Sequence, residues 1–211
     1  MHKPALDLEL LERWLAGWSL ARGLPLPRRD GGGLVVEVGW PEQLRRHVFL
    51  DAGPALQACA ARVDQAGIYL KAAVDTEAMR RALPASWTIE QARYLMHRAA
   101  PMAGQAAAPA GYALQTSTEH GAHVVRYVDA NGQTAALGRV VLNEGTAIFD
   151  RIETMEGYRR LGLASAVMFA LDALAGDAER LLVATEAGRA LYASLGWQVL
   201  APYSTAVLAG G

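Results

Sequence analysis

Apolar positions along this chain change their spacing several times, and each change marks an element. Leu8, Leu11, Leu15 and Trp18 fall three and four apart, which predicts one buried face of a helix over 6–22, with Gly23 as its stop. Pro25, Pro27 and Gly31-Gly32-Gly33 then punctuate the chain. Leu34 to Gly39 alternates and is β-branched, the pattern of a strand. Pro41 predicts a short helix through about Phe49, and a second helix is expected from Gly53 to Gln65. Ile68 to Val74 reads as a strand, and Thr76 caps a helix that stops at Leu83-Pro84. Trp87 to His97 fits strand or helix equally.

Residues 99–110 are rich in Ala, Pro, Gly and Gln with almost no charge, which predicts a linker between a domain over 1–98 and another over 111–211. The second half opens with strands. Tyr112 to Thr118 is the first, and Ala122 to Asp129 and Gln133 to Leu142 flank Asn131-Gly132, a hairpin turn pair. Thr146 to Thr154 is the fourth, after Asn143-Glu144-Gly145. A long apolar helix over Leu161 to Ala175 follows, then a buried strand (Arg180 to Thr185) and a short helix (Ala187 to Leu195). Extended chain from Trp197 to Leu208 is broken at Pro202. No internal repeat is visible.

Composition narrows the class. With 211 residues, 52% hydrophobic and 19% charged, the chain is far too apolar for a disordered protein. Its net charge of −1 gives no basic surplus for non-specific nucleic-acid binding. The single cysteine, Cys59, excludes an intrachain disulfide, provides no Cys/His zinc framework, and reads as buried packing among alanines. His120 and His123 have no carboxylate partner in the pattern, so no metal is expected. Met1-His2-Lys3-Pro4, Asp7, Glu9 and Glu12 interrupt the apolar core that a leader needs, and Asp172 interrupts the longest apolar stretch. A soluble cytoplasmic protein without a membrane partner is expected. Lys3 and Lys71 are the only lysines, and arginine and alanine abound, as in proteins from GC-rich bacterial genomes. Arg45-Arg46 and Arg80-Arg81 read as solvated helix faces. Trp14, Trp18 and Trp40 are candidates to line a cleft between the halves.

Candidate chemistry concentrates in Thr154-Met155-Glu156-Gly157-Tyr158-Arg159-Arg160-Leu161-Gly162-Leu163-Ala164, which joins a strand to a long helix. Amides at a helix start lack intrahelical partners and sit at the positive end of the dipole, so this is a natural anion site. Gly162 and Ala164 let a phosphate approach those amides, and Arg159 and Arg160 add charge. Neither a Walker loop nor a dinucleotide glycine fingerprint is present. Farther on comes Gly188-Arg189-Ala190-Leu191-Tyr192-Ala193-Ser194-Leu195-Gly196-Trp197, a helix ending in glycine before an aromatic strand.

Together the two segments resemble the GNAT superfamily of N-acetyltransferases. The family's Q/R-x-x-G-x-G/A signature is matched by Arg159, Gly162 and Ala164, and its leucine-tyrosine pair before Gly-Phe or Gly-Trp by Leu191-Tyr192 and Gly196-Trp197. The order of elements also agrees, over about Tyr112 to Leu208. The resemblance implies a mixed, mostly antiparallel sheet flanked by helices, an α/β fold in which the N-terminal half is an α/β partner domain open to reading as a truncated copy. It implies acetyl-CoA as co-substrate, no metal, and direct transfer of acetyl to a primary amine, small molecule or peptide, in a ternary complex. The pyrophosphate would rest on the amides from Arg160 through Leu161, Gly162 and Leu163 to Ala164. The pantetheine arm would add to the strand edge at Thr154 and Met155, where an amide near Met155 would polarise the acetyl carbonyl. Tyr192 would protonate the departing thiolate, and Glu153 is preferred as base over Glu156 or an ordered water. The chain departs from the family at Thr185, where many members place an asparagine that bonds pantetheine. It also departs at Glu119-His120-Gly121, which stands where two acceptor-pocket helices are usual, so the N-terminal half is the expected supplier of the missing wall. The alternative is a non-catalytic acyl-CoA-binding or sensing module; in either case both a monomer and a homodimer are open.

Overall fold

The computed structural model describes residues 5–106 and 108–208, so the Met1 to Pro4 stretch weighed against a leader lies outside the described residues. Helix α1 (Leu8–Leu20) starts at Asp7, whose side chain accepts from the Leu10 N–H at 2.8 Å. It buries Leu11, Trp14, Leu15 and Trp18 along the expected stripe. Strands β1 (Arg28–Asp30), β2 (Gly33–Trp40) and β3 (Gln43–Phe49) follow. The helix expected from Pro41 is thus a strand. Pro41 and Glu42 turn the chain, and β3 runs between β2 and β4 (Ile68–Ala72) with Arg46, His47, Val48 and Phe49 buried in succession. A strand covered on both faces loses the alternation by which strands are read.

Helices α2 (Pro54–Arg62) and α3 (Thr76–Ala82) flank β4, and Asp75 rather than Thr76 caps α3, accepting from the Ala78 N–H at 2.7 Å. The ambiguous stretch from Trp87 resolves into β5 (Trp87–Ile89) and β6 (Arg93–Arg98). Strands β7 (Ala113–Glu119), β8 (Ala122–Val128), β9 (Thr134–Asn143) and β10 (Thr146–Thr154) form a meander, with His120-Gly121 as the turn between the first two. Then come α4 (Leu163–Ala175), β11 (Glu179–Thr185), α5 (Glu186–Ser194) and β12 (Gln198–Leu208).

All twelve strands share one open, mostly antiparallel sheet ordered β1-β2-β3-β4-β12-β6-β11-β10-β9-β8-β7, with β5 paired to β12. Strand β12 joins the halves. Its first part pairs with β6 and its last part with β4 and β5, and Pro202 sits near the exchange, where a missing N–H costs least. Successive residues face opposite sides. Phe149, Leu182 and Met96 belong to a core under α4, whereas Ile148, Leu181 and Leu95 belong to a core under α1. Helix α1 approaches so closely that a Cβ on Gly17 would stand 2.6 Å from Ile148 Cγ1. Among the described residues no helix is long and apolar enough to cross a membrane.

Strand β6, from the first half, lies between β11 and β12 of the second. A fragment starting at Gly111 would therefore lose the central strand that pairs with both, as well as α1 above them. We expect such a fragment to be insoluble or to lack a cooperative thermal transition. A soluble fragment that melts cooperatively in calorimetry would contradict this.

Candidate active site

Strands β10 and β11 pair in parallel only where Thr146–Ile148 meets Glu179–Leu181, and then they part. The register of β10 against β9 shifts between Asp150 and Glu153, with Arg151 at φ +49°, so a bulge bends β10 away. Beyond Ile148 and Leu181 the two strands present facing backbone edges to each other without a ladder. A cavity of about 400 Å³ opens at this parting. Phe149, Ile152, Leu182, Thr185 and Tyr192 line it from the second half. From the first half come Trp14, Trp18, Arg46, Tyr69 and Lys71, with Tyr203 of β12. Ile152, Leu182 and Tyr192 belong to the α4-side core and Trp14, Trp18 and Tyr203 to the α1-side core, so the cavity passes through the sheet.

Tyr192 stands on α5 with only 7% of its surface exposed. Its ring lies 6.3 Å from that of Trp197, and a Cβ on Gly188 would stand 3.0 Å from its Cε2, so the small residue one turn earlier makes room for it. Burial, with a smaller contribution from Asp150, pushes its hydroxyl up to about 12. The group therefore remains a proton-bearing donor across the neutral range. Thr185 also lines the cavity, but its Oγ1 caps α5 by accepting from the Gly188 N–H at 3.1 Å.

The loop before α4 has anion-site geometry. A short 3₁₀ turn over Glu156–Tyr158 leads to Arg160 at φ +64° and Gly162 at φ +80°, where glycine is favoured. The first bond of α4 runs from the Ala166 N–H to the Gly162 carbonyl at 3.1 Å, which leaves the Leu163, Ala164 and Ser165 amides without intrahelical partners. Arg159, Arg160, Leu161 and Gly162 are exposed, and a Cβ built on Gly162 meets nothing within 4 Å. The mouth is open and positively charged.

The structure does not bring every expected residue to the cavity. Glu153 and Glu156 are exposed and outside the lining, Thr154, Met155 and the loop from Arg159 to Ala164 also lie outside it, and the carboxylates that do line it are Asp150 and Glu90. The Met155 N–H donates to the Ala135 carbonyl at 2.9 Å, so it is committed to β9. By the alternation of an antiparallel ladder, the amide that faces away from β9 is that of Thr154, opposite Ala136. Asp150 is held by two arginines: its Oδ1 accepts from Arg22 Nη2 at 2.9 Å and its Oδ2 from Arg139 Nε at 2.8 Å. That network ties α1 to the bulge.

Arg45-Arg46, read as a solvated helix face, is instead part of β3, and Arg46 is buried with its guanidinium 3.6 Å over the Trp18 ring. Neither Arg46 nor Lys71 belongs to a sequence motif. The available signal was a charge inside each of two short strands, Gln43–Phe49 and Ile68–Ala72, where burial makes charge costly. Trp14 and Trp18 do line the cavity between the halves. Among the described residues no group of three or more His, Cys, Asp or Glu is placed to hold a metal ion.

An open mixed sheet whose fourth and fifth strands of the second half part beside a glycine-led helix is the fold of the GNAT N-acetyltransferases. Solved structures of that fold superpose on nearly the whole chain. A GCN5-related N-acetyltransferase from Kribbella flavida matches 98% of this chain and 97% of its own at a TM-score of 0.66 and 14% identity. A GCN5-related N-acetyltransferase-like protein from Streptococcus suis matches 96% and 98% at 0.59 and 12% identity. A tandem GNAT protein from the clavulanic acid biosynthesis pathway matches 87% and 82% at 0.57 and 16% identity. A scan against protein-family models gives no match, and a search of curated proteins gives none either.

Proposed function

We propose that this protein is an acyltransferase that moves the acetyl group of acetyl-CoA directly to a primary amine in a ternary complex. The observation that carries this reading is the cavity that passes through the sheet at the parted strands and contains Tyr192. The thioester would bring an activated acetyl group whose leaving group is a thiolate. For that substrate, the loop from Arg159 to Ala164 offers free amides and two cations to a pyrophosphate. The unpaired edges of β10 and β11 offer hydrogen bonds to a peptide-like arm.

Within this reading, the Thr154 amide, which faces away from β9, polarises the acetyl carbonyl, the part expected of an amide near Met155. Tyr192 donates to the sulfur as charge develops on it. Thr185 shapes the cavity and caps α5. Glu90, which lines the cavity without a direct ion pair, replaces Glu153 as the carboxylate best placed to take the proton of the incoming ammonium. The fold of the neighbours supports acyl transfer in general terms.

Release of free thiol from acetyl-CoA, followed against a panel of amines, tests the proposal. Amine-dependent release with an acetylated product is expected. Saturable acetyl-CoA binding without release for any acceptor would instead support the non-catalytic binding module.

A further inference from the structure

The wall of the cavity built by β3, β4 and β6 carries more positive charge than the protein itself neutralises. Arg46, Lys71 and Arg93 all line it, from β3, β4 and β6. None of the three forms an ion pair among the described residues; Asp150, beside them, is already shared by Arg22 and Arg139. Glu90 is the other carboxylate in the lining, one acid against these three cations and Arg151. Arg46 is the extreme case. It is 9% exposed, its Nη2 donates to the neutral Gln43 Oε1 at 3.2 Å, and its Nε is buried with no partner. Burial pushes that guanidinium down to about 10. Lys71 is 7% exposed and donates to Thr205 Oγ1 at 2.7 Å, and burial followed by Arg46 holds its ammonium well below its usual range.

A buried, unpaired cation is costly, and its cost falls when an anion enters beside it. The walls fit the apolar remainder of such a molecule, because Trp14, Trp18, Tyr69 and Tyr203 face the same space. We infer that the acceptor is an amine that also carries an anionic group, a carboxylate or a phosphate monoester, held by Arg46, Lys71 and Arg93 with its amino end toward Tyr192. This rests on the transferase reading for the acceptor's role, but the anion site itself does not.

The test uses the full chain and sets of molecules that share a skeleton and differ in charge. The probes are phenylalanine with its amide and phenethylamine, and phosphoethanolamine with ethanolamine. Calorimetric binding in the absence of acetyl-CoA is expected to favour the anionic member by at least about tenfold. Arg46→Met and, separately, Lys71→Met should erase that preference by weakening the anion-bearing members, while the weak binding of the ammonium-only members does not fall. Melting curves identify any variant that fails to fold, and the second variant then decides. Which skeleton binds tells carboxylate from phosphate. If acetyl transfer fails with every amine yet anions bind through Arg46, the anion site stands and the transferase reading falls. If transfer proceeds equally with amines that carry the anionic group and amines that lack it, or no anion binds, the inference is overturned whatever the fate of the transferase reading.

Discussion

Tyr192→Phe is expected to lower kcat about 100-fold while leaving the dissociation constant of acetyl-CoA within about twofold of the parent. The substitution keeps ring and volume, so the packing of Tyr192 against Trp197 survives. It removes one donor that matters only as negative charge gathers on sulfur, and an interaction made mainly in the transition state appears in kcat. The pH dependence supplies a second readout. A hydroxyl pushed up to about 12 stays protonated well above pH 9, so Tyr192 cannot produce an alkaline fall in kcat below that point. Any such limb should persist at the same pH in the phenylalanine variant. A purely structural tyrosine would show the opposite pattern, a lower melting temperature with kcat within about threefold of the parent.

The largest stability loss is expected at Asp172, away from the cavity. This aspartate interrupts the apolar face of α4, and its partner explains it: Arg180, fully buried at the start of β11, donates from Nε to Asp172 Oδ1 at 2.5 Å. The other guanidinium nitrogens donate to the Ala178 and Gly176 carbonyls, each at 2.6 Å, and Asp172 Oδ2 accepts from the Met102 N–H at 2.8 Å. One carboxylate therefore fastens the end of α4, the start of β11 and the segment at 99–110. Asp172→Ala would strand a buried charge and orphan an amide, at a cost of about 3–5 kcal/mol. In a chain of this length that corresponds to a drop in melting temperature of about 10 °C. Asp172→Asn keeps an acceptor and should lose less. A calorimetric melting temperature for the alanine variant within about 2 °C of the parent would refute this assignment.

Local chemistry made much of the second half legible. Asn131-Gly132 marks a real hairpin turn between β8 and β9, Gly162 does begin α4, and the glycine after Leu195 does end α5 before Trp197. Legibility fails where tertiary placement overrides local pattern. Strand β3 is buried on both faces, and its Pro41 mimics a helix start, so its period could not be read. The parting of β10 from β11 depends on a bulge at Asp150 to Glu153 that no residue type signals. The cavity wall is harder still. Arg46 and Lys71 reach it from the neighbouring strands β3 and β4 and Tyr203 from β12, most of the chain away, and a sheet order that sets β12 between β4 and β6 brings them together. Tyr192 carried a motif, whereas Arg46 and Lys71 carried only misplaced charge. Glu153 is exposed and outside the cavity lining, a placement that nearness along the chain to the bulge does not reveal.

The central claim is that the loop leading into α4 and the parted strands hold acetyl-CoA, and one calorimetric titration tests it most directly, with the parent chain beside Gly162→Val. The parent should bind acetyl-CoA saturably at one site per chain. Gly162 sits at φ +80° beside open space, so valine both strains a left-handed backbone position and fills the volume a phosphate would need. Affinity should fall by at least about tenfold, or about 1.4 kcal/mol, in a variant whose melting curve shows it folded. Absence of acetyl-CoA binding by the parent, or equal affinity in parent and folded variant, would contradict the account.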